Sequence, residues 1–358
     1  MATQTWRKSD ADAKTSSNVR PSYPKATKDA RPGFRLYLVR VRAVTDLSPH
    51  MRRVTFTGPQ LQWFGTDGYD QRIKLMFPLA DDGHSVGPWG DPHLFDPRSV
   101  ARGGWWDQWR ALPAERRNPI RTYTVRGVDV QAREITVDFA RHGALGPAGA
   151  FAERVAVGDT IVVIGPDGRS LNSALGIDFH CGMARRVLLA GDETAMPAIG
   201  AIIDTLAREH RFGIGDGCVE SVLAMVEMPD EDDFAALPDP VADSPAAGHV
   251  EIRRFARGSR LHGQALFEAV QAWVAKDGNA VRGHVDGNGH AETFADVDVD
   301  RGLLWEVTNG PTDGDIYAWV AGEAAMVRDI RRLLVRDQGM PRSSVAFMGY
   351  WRNGRYES

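Results

Sequence analysis

Cysteine is almost missing from this chain: its 358 residues include only Cys181 and Cys218, far apart and in no ligand-like spacing. That excludes a disulfide framework and a cysteine-rich zinc or iron–sulfur site, and predicts two reduced thiols packed in a cytoplasmic protein. No apolar run approaches the roughly 20 residues that a bilayer demands, so no membrane role is expected. A basic excess is lacking too. The formal charge is -4, which argues against nucleic acid as a partner but leaves room for a locally basic pocket. There is no internal repeat and no G-x-G-x-x-G, since GIGDGC at 213–218 has the wrong spacing. No cluster of His, Asp and Glu has iron-ligand spacing, and no nucleophile or acid–base triad stands out.

What is present is ordinary globular material, 43% hydrophobic and 25% charged, in a chain long enough for two cores. Residues 1–33 are rich in Ser, Thr, Lys and Pro with few large aliphatics and no apolar signal core, and read as a disordered arm. From Phe34 the pattern alternates apolar and polar residues, as half-buried antiparallel strands do. Strands are predicted at FRLYLVRVRAV, MRRVTFTG, QRIKLMFP, IRTYTVRG, EITVDFARHG and TIVVIGP. Residues 79–118 form a long Gly-, Pro- and Trp-rich excursion with a short helix at WWDQWRAL. Many short strands with little helix predict a small antiparallel barrel over 34–170.

After Ser170 strands and helices alternate, from RRVLLAGDE and TAMPAIGAIIDTLAREH to AAMVRDIRRLLVRDQG, which Gly339 closes, and SVAFMGYW. Alternation of this kind predicts an α/β layer on a parallel sheet over 171–358, with 229–247 and 277–314 as loops. A β-barrel followed by a nucleotide-type α/β domain is an arrangement that can hold a flavin, although many folds share such parts.

RTYTVR at 121–126 is the first segment with chemistry. On a strand Arg121, Tyr123 and Val125 share one face, and Thr122, Thr124 and Arg126 the other. A tyrosine can cover a flavin ring, a threonine can hydrogen-bond its edge, and an arginine can fork onto pyrophosphate. An exposed strand would show the same letters. The second segment, DFARHGALGPAGAFAERVAVGD, gives a strand, a Gly-rich bend and a helix beginning near Pro147, whose first N–H groups suit an anion. In the third, LLAGDETAMPAIGAI, a buried strand ends at Gly191 and Thr194 is placed to cap the next helix. AWVAGEAAMVRDI repeats that arrangement with Gly322 and Glu323. Two such turns on one sheet edge suit a nicotinamide nucleotide.

Together IKLMFP, RTYTVR, DFARHG, GPAGAFA, AGDETAMPAI, YAWVAGEAAMVRDIRRLL and GYWRNGR resemble, in order and spacing, the siderophore-interacting protein family. Its members are FAD-dependent ferric-siderophore reductases related in fold to ferredoxin–NADP reductases. The resemblance runs from about Phe34 to Glu357. It implies that Arg121, Tyr123 and Thr124 bind FAD, and that His142, Gly143, Gly146, Pro147 and Ala148 hold its ribityl chain and pyrophosphate. It further implies that Gly191, Asp192, Glu193 and Thr194, with Gly322 and Glu323, line the nicotinamide side. Basic side chains near the flavin would attract an anionic ferric chelate, and here Lys74, Arg352 and Arg169 are the candidates. A strand lysine more often simply lies along the surface. Residues 149–151 (GAF) are smaller than the family usually has. NADPH, NADH and a protein donor such as ferredoxin stay open as reductants, as does a binding module without turnover. Arg253, Arg254 and Arg257 could meet a 2′-phosphate, against the acidic run EMPDEDD.

Overall fold

The computed structural model describes residues 27–65, 67–79, 103–237, 244–281, 302, 304–311 and 315–354. Most of the arm, most of the 79–118 excursion and parts of the two predicted loops therefore lie outside the described residues.

The first sheet has seven strands: β1 (Phe34–Ser48), β2 (Met51–Thr57), β3 (Arg72–Met76), β4 (Ile120–Thr124), β5 (Gly127–Asp129), β6 (Glu134–Ala140) and β7 (Thr160–Pro166). Their order is β4-β3-β7-β1-β2-β6-β5, and every pair is antiparallel. The alternation seen in the sequence points Tyr37, Val39, Val54, Phe56, Ile73, Leu75, Val137 and Phe139 to one interior. The Arg126 N–H donates to the Thr136 carbonyl at 2.8 Å, drawing β4 back toward β6 and curling the sheet into a half-barrel. Helix α1 (Trp105–Ala111) forms where WWDQWRAL predicts it and sets Trp105 and Trp109 against Leu36, Met76 and Ile164 on the outer face. Helix α2 (Gly146–Arg154) lies between β6 and β7 and starts one residue before the expected Pro147.

The second sheet contains β8 (Arg186–Gly191), β9 (Ser221–Met228), β10 (Val250–Ala256), β11 (Trp305–Glu306), β12 (Ile316–Glu323) and β13 (Val345–Trp351), in the order β10-β9-β8-β12-β13-β11. Five strands are parallel as expected. The sheet is nonetheless mixed, because the two-residue β11 pairs antiparallel with β13 in a stretch that reads as loop. Helix α3 (Met196–Arg208) covers one face through Met196, Ile199, Ile202, Ile203 and Leu206. Each such buried side chain stabilises the fold by about 1.5–3 kcal/mol before entropy is counted. Helices α4 (Gln264–Val281) and α5 (Ala324–Arg331) cover the other face. The last predicted helix stops being α-helical at Arg331, and residues 332–337 continue as a π-turn closed by Gly339 at φ +70°.

Two expectations change. The end of the expected arm is ordered, because Asp29 forms a β-bridge with Ser170, its N–H donating to the Arg169 carbonyl at 2.9 Å. RTYTVR is not one strand either: β4 ends at Thr124, and the Arg126 guanidinium reaches Asp204 of α3 at 2.6 Å.

The two sheets meet along a polar seam. Met51 of β2 is buried among second-sheet residues. Asp70, after a turn with Tyr69 at φ +53°, accepts the Asp178 and Phe179 N–H groups and the Trp319 indole N–H, each at 3.0 Å. Asp233 accepts from Ser48 Oγ at 2.7 Å and from the His50 N–H at 2.9 Å. Among the described residues, no helix is long and apolar enough to cross a membrane.

Candidate functional site

Strand β8 is a buried apolar run that ends at Gly191, where the chain must turn beside β12. A Cβ at Gly191 would sit 2.7 Å from the Ala321 carbonyl oxygen, so only glycine fits. The next residue, Asp192, is fully buried and stands at the centre of the site. Its Oδ1 accepts the Thr194 N–H at 2.9 Å and the Thr194 hydroxyl at 2.6 Å. Its Oδ2 accepts His262 Nε2 at 3.0 Å, the Glu323 N–H at 2.8 Å and the Trp351 indole N–H at 3.1 Å. Burial alone would raise its pKa; the His262, Thr194 and Glu323 donors outweigh that and hold it at about 2. In return, although burial opposes it, Asp192 raises His262 above the ordinary histidine value. Asp192, not Thr194, therefore organises the start of α3, whose cap residue is Ala195.

Glu193 is also fully buried. Arg257, at the end of β10, pairs with Glu193 Oε2 and, at 2.9 Å, with Glu227 Oε1, so Arg257 is committed to two carboxylates rather than to a 2′-phosphate. Arg253 likewise pairs with Glu251 at 2.7 Å. The other Glu193 oxygen, Oε1, is buried and accepts no hydrogen bond among the described residues. It lies 3.5 Å from His142 Nε2, a residue of the first half of the chain. Burial and the adjacent Asp192 push Glu193 up to about 7, against the pull of Arg257. Burial also lowers His142.

Glu323 caps α5, its Oε2 accepting the Ala325 N–H at 2.8 Å and the Met326 N–H at 3.0 Å. Gly322 before it has φ +140°, and a Cβ there would meet the Asp192 carboxylate at 2.7 Å. Glu323 and Asp192 thus shape the turns from inside, while Thr194 is half-buried at the surface of the turn.

On the first sheet, residues 142–147 are exposed. Gly143 and Gly146 take φ +81° and +68°, and a Cβ at either would meet nothing within 4 Å. No side chain caps α2 at Leu145. An open glycine bend leading to an uncapped helix start fits a pyrophosphate, so the residues present fit an FAD. Tyr123 packs half-buried against Phe139, ring centroids 4.6 Å apart, and Arg121 lies across from Leu75. Thr124 is buried.

The basic candidates are not brought together with Tyr123. Lys74 lies across from Thr122, its Nζ 3.4 Å from the Thr122 hydroxyl, on the opposite face of the strand pair from Tyr123. Arg169 forms a two-point pair with Asp167, the closer contact 2.6 Å, and lies over Trp63. Arg352 donates to the Gly302 carbonyl, although Asn353 beside it reaches Glu323 Oε1 at 3.2 Å.

Trp351 and His262 escape sequence reading. The Trp351 ring stacks on His142, centroids 5.9 Å apart, and meets His262 edge-on at 5.0 Å. Trp351 sits inside GYWRNG beside the more conspicuous Arg352. The position of His262, just past the carboxyl end of β10, was the available signal. Two groups, Asp192–Glu193–His262 and His50–Asp230–Asp233, bring their ligand-type atoms within 4.8 Å. The donors named above occupy Asp192 and Asp233, so both groups are hydrogen-bonded clasps.

Sequence-family models match both halves of the chain: the siderophore-interacting FAD-binding domain over residues 40–170 and the siderophore-interacting protein domain over 184–354. An uncharacterized protein of Mycobacterium tuberculosis is 31% identical over 91% of this chain and 93% of its own length. Ferric vibriobactin reductase ViuB of Vibrio cholerae is 24% identical over 87% of each chain. The crystal structure of the siderophore-interacting protein SipS from Aeromonas hydrophila superposes with a TM-score of 0.56 at 25% identity, covering 91% of this chain and 94% of that one. With an antiparallel half-barrel, a mixed α/β layer and both family domains in order, this chain belongs to the siderophore-interacting protein family.

Proposed function

We propose that the chain is an FAD-dependent reductase that draws on NAD(P)H and releases iron as Fe(II) from a ferric siderophore. The observation that carries this reading is the His142–Glu193 contact, which sets the open glycine bend of the first sheet against the carboxyl end of β8. Ligands of α/β sheets bind at that end of the strands. When bound, FAD supplies hydride acceptance and one-electron donation, the conversion a ferric substrate needs.

The chain's own residues position and shield. The bend at Gly143 and Gly146, with Pro147 and Ala148 of α2, would receive the pyrophosphate, and Arg121 would add a fork of donors. Tyr123, fixed by Phe139, would present a ring face, and Thr124 a hydroxyl. Gly191 and Gly322 keep the second edge free of side chains, with Thr194 at the surface and Asp192 and Glu323 holding the turns. Lys74 and Arg352 are the basic groups proposed to draw in an anionic chelate, since Arg169 is already matched by Asp167.

The test is anaerobic: purified protein, each nicotinamide nucleotide, a ferric chelate and a colorimetric Fe(II) trap. Flavin bleaching by NADPH or NADH followed by Fe(II) capture is the expected result. Bleaching only by a reduced ferredoxin would move the reading to a protein donor. A colourless protein that cannot be reconstituted with FAD would refute it.

A further inference from the structure

Glu193 is an unusual carboxylate. It is fully buried, one oxygen is held by Arg257, and the other faces His142 and accepts no hydrogen bond among the described residues. The gap to His142 Nε2, 3.5 Å, is one a small closure of the seam would turn into a hydrogen bond. His142 is the most exposed member of the group, its side chain 40% exposed beside the glycine bend. The ring lies nearly parallel to that of Trp351, on which it stacks. A path thus runs from a buried acid, through an imidazole, to the open side of the glycine bend, where His142 stacks on Trp351, the residue before the proposed chelate-binding Arg352.

We propose that Glu193 stores a proton that His142 delivers to the chelator as iron is reduced, which makes His142 a further catalytic residue and Glu193 a positioning residue acting through it. The proposal rests on the reductase reading given above. Adding one electron to an Fe(III) chelate leaves the complex one unit more negative. Protonating a donor oxygen offsets that charge and frees the ligand. In the step, the Glu193 O–H bond breaks as His142 Nε2–H forms, and His142 Nδ1–H breaks as the chelator O–H forms. The electron comes from the reductase reaction itself. The Glu193 carboxylate left behind is stabilised by Arg257, and it regains a proton from solvent through the exposed edge of His142.

The charges facing the pair come from every element around it. Asp192 at the end of β8 and Glu227 on β9 are negative, Arg257 after β10 is positive, and His262 before α4 and His50 between β1 and β2 are titratable. Burial and Asp192 keep a proton on Glu193 near neutrality, while burial and Arg257 keep His142 neutral and able to relay.

The experiment uses the full-length protein. Histidine-labelled protein is titrated by NMR, with wild type compared to Glu193→Gln and His142→Gln, and Fe(II) release from a ferric tris-catecholate is followed against pH. Wild type is expected to show a His142 ring-nitrogen step near neutrality that vanishes in Glu193→Gln. Its Fe(II) release should fall about tenfold per pH unit above that step. Both variants should lose this limb and release iron at least tenfold more slowly at the low-pH end. An unchanged His142 titration in Glu193→Gln, or a retained pH limb in either variant, overturns the proposal. Should Glu193→Gln fold poorly, His142→Gln, altered at a partly exposed position, decides alone. Failure of the flavin to bleach would count against the reductase reading, and the NMR titration would still decide the proton pair.

Discussion

Replacing Asp192 by Asn tests the site most directly. An amide matches a carboxylate in shape but brings an NH2 where one oxygen stood. If the amide oxygen takes the Oδ2 position, it still accepts from His262, the Glu323 N–H and Trp351, and the NH2 confronts the Thr194 N–H. The Thr194 hydroxyl can rotate to accept, so one buried backbone donor is left unpaired, at about 1–3 kcal/mol. Loss of the charge-assisted bond to His262 adds about 1.5–3 kcal/mol. The variant should therefore be about 3–5 kcal/mol less stable in urea unfolding near pH 5.5. The pH dependence sharpens the test. Asp192 is held at about 2 instead of its ordinary 3.8, so its contribution is present above about pH 4 and lost as pH falls through 2, about 2 kcal/mol in all. His262 is raised, so its contribution is full below about pH 6.5 and is lost as pH climbs through its folded value. The gap between wild type and variant should be widest between about pH 4 and 6.5 and narrow on either side. A gap under 1 kcal/mol at pH 5.5, or one that does not change with pH, would refute the reasoning.

Other outcomes follow from the same geometry. Gly322→Ala, which drives a Cβ into the Asp192 carboxylate at φ +140°, should unfold at markedly lower urea and lose nucleotide-dependent flavin bleaching. Gly146→Ala has room for its Cβ but adopts φ +68°, so a cost of about 1–2 kcal/mol should appear in urea unfolding together with weaker FAD retention on gel filtration. Burial and the nearby Asp178 charge raise Asp70 to about 6 from an ordinary 3.8, so the folded state prefers it protonated. Stability should drop by about 3 kcal/mol as pH rises from 4 to 6, a slope that Asp70→Asn should flatten. Lys74→Ala should slow reduction of an anionic chelate several-fold while leaving flavin content unchanged; equal rates would remove Lys74 from the chelate site.

Much of the architecture was legible because it is periodic. Tyr37, Val39 and Val41 alternate with the outward-facing Leu38 and Arg40 along β1, and Ile199, Ile202, Ile203 and Leu206 repeat at helical spacing in α3. The glycines were legible for a different reason: Gly191 and Gly322 stand where a strand must turn into a helix, and each excludes a side chain for a steric cause. What no local pattern could reveal is convergence. His262 is a single residue in unremarkable surroundings, Trp351 is one letter of GYWRNG and Arg257 reads as a phosphate ligand, and only the topology brings them to Asp192 and Glu193. Asp192 and Glu193 look like groups pointed at a ligand, and the sequence does not show that both are fully buried, with His262 and Trp351 donating to one and Arg257 to the other. The two residues of β11 are too few to show an alternation at all.

The knot around Asp192 also has a kinetic meaning. Its donors lie 70, 131 and 159 residues away at His262, Glu323 and Trp351, so no early local structure can supply them. Loop closure over such spans comes late, after each sheet has collapsed on its own core. The polar seam is then the final part of the molecule to form and the first able to open as a unit. In native-state hydrogen exchange, the amide of Glu323 should report that opening apart from the slower-exchanging strands on either side of it.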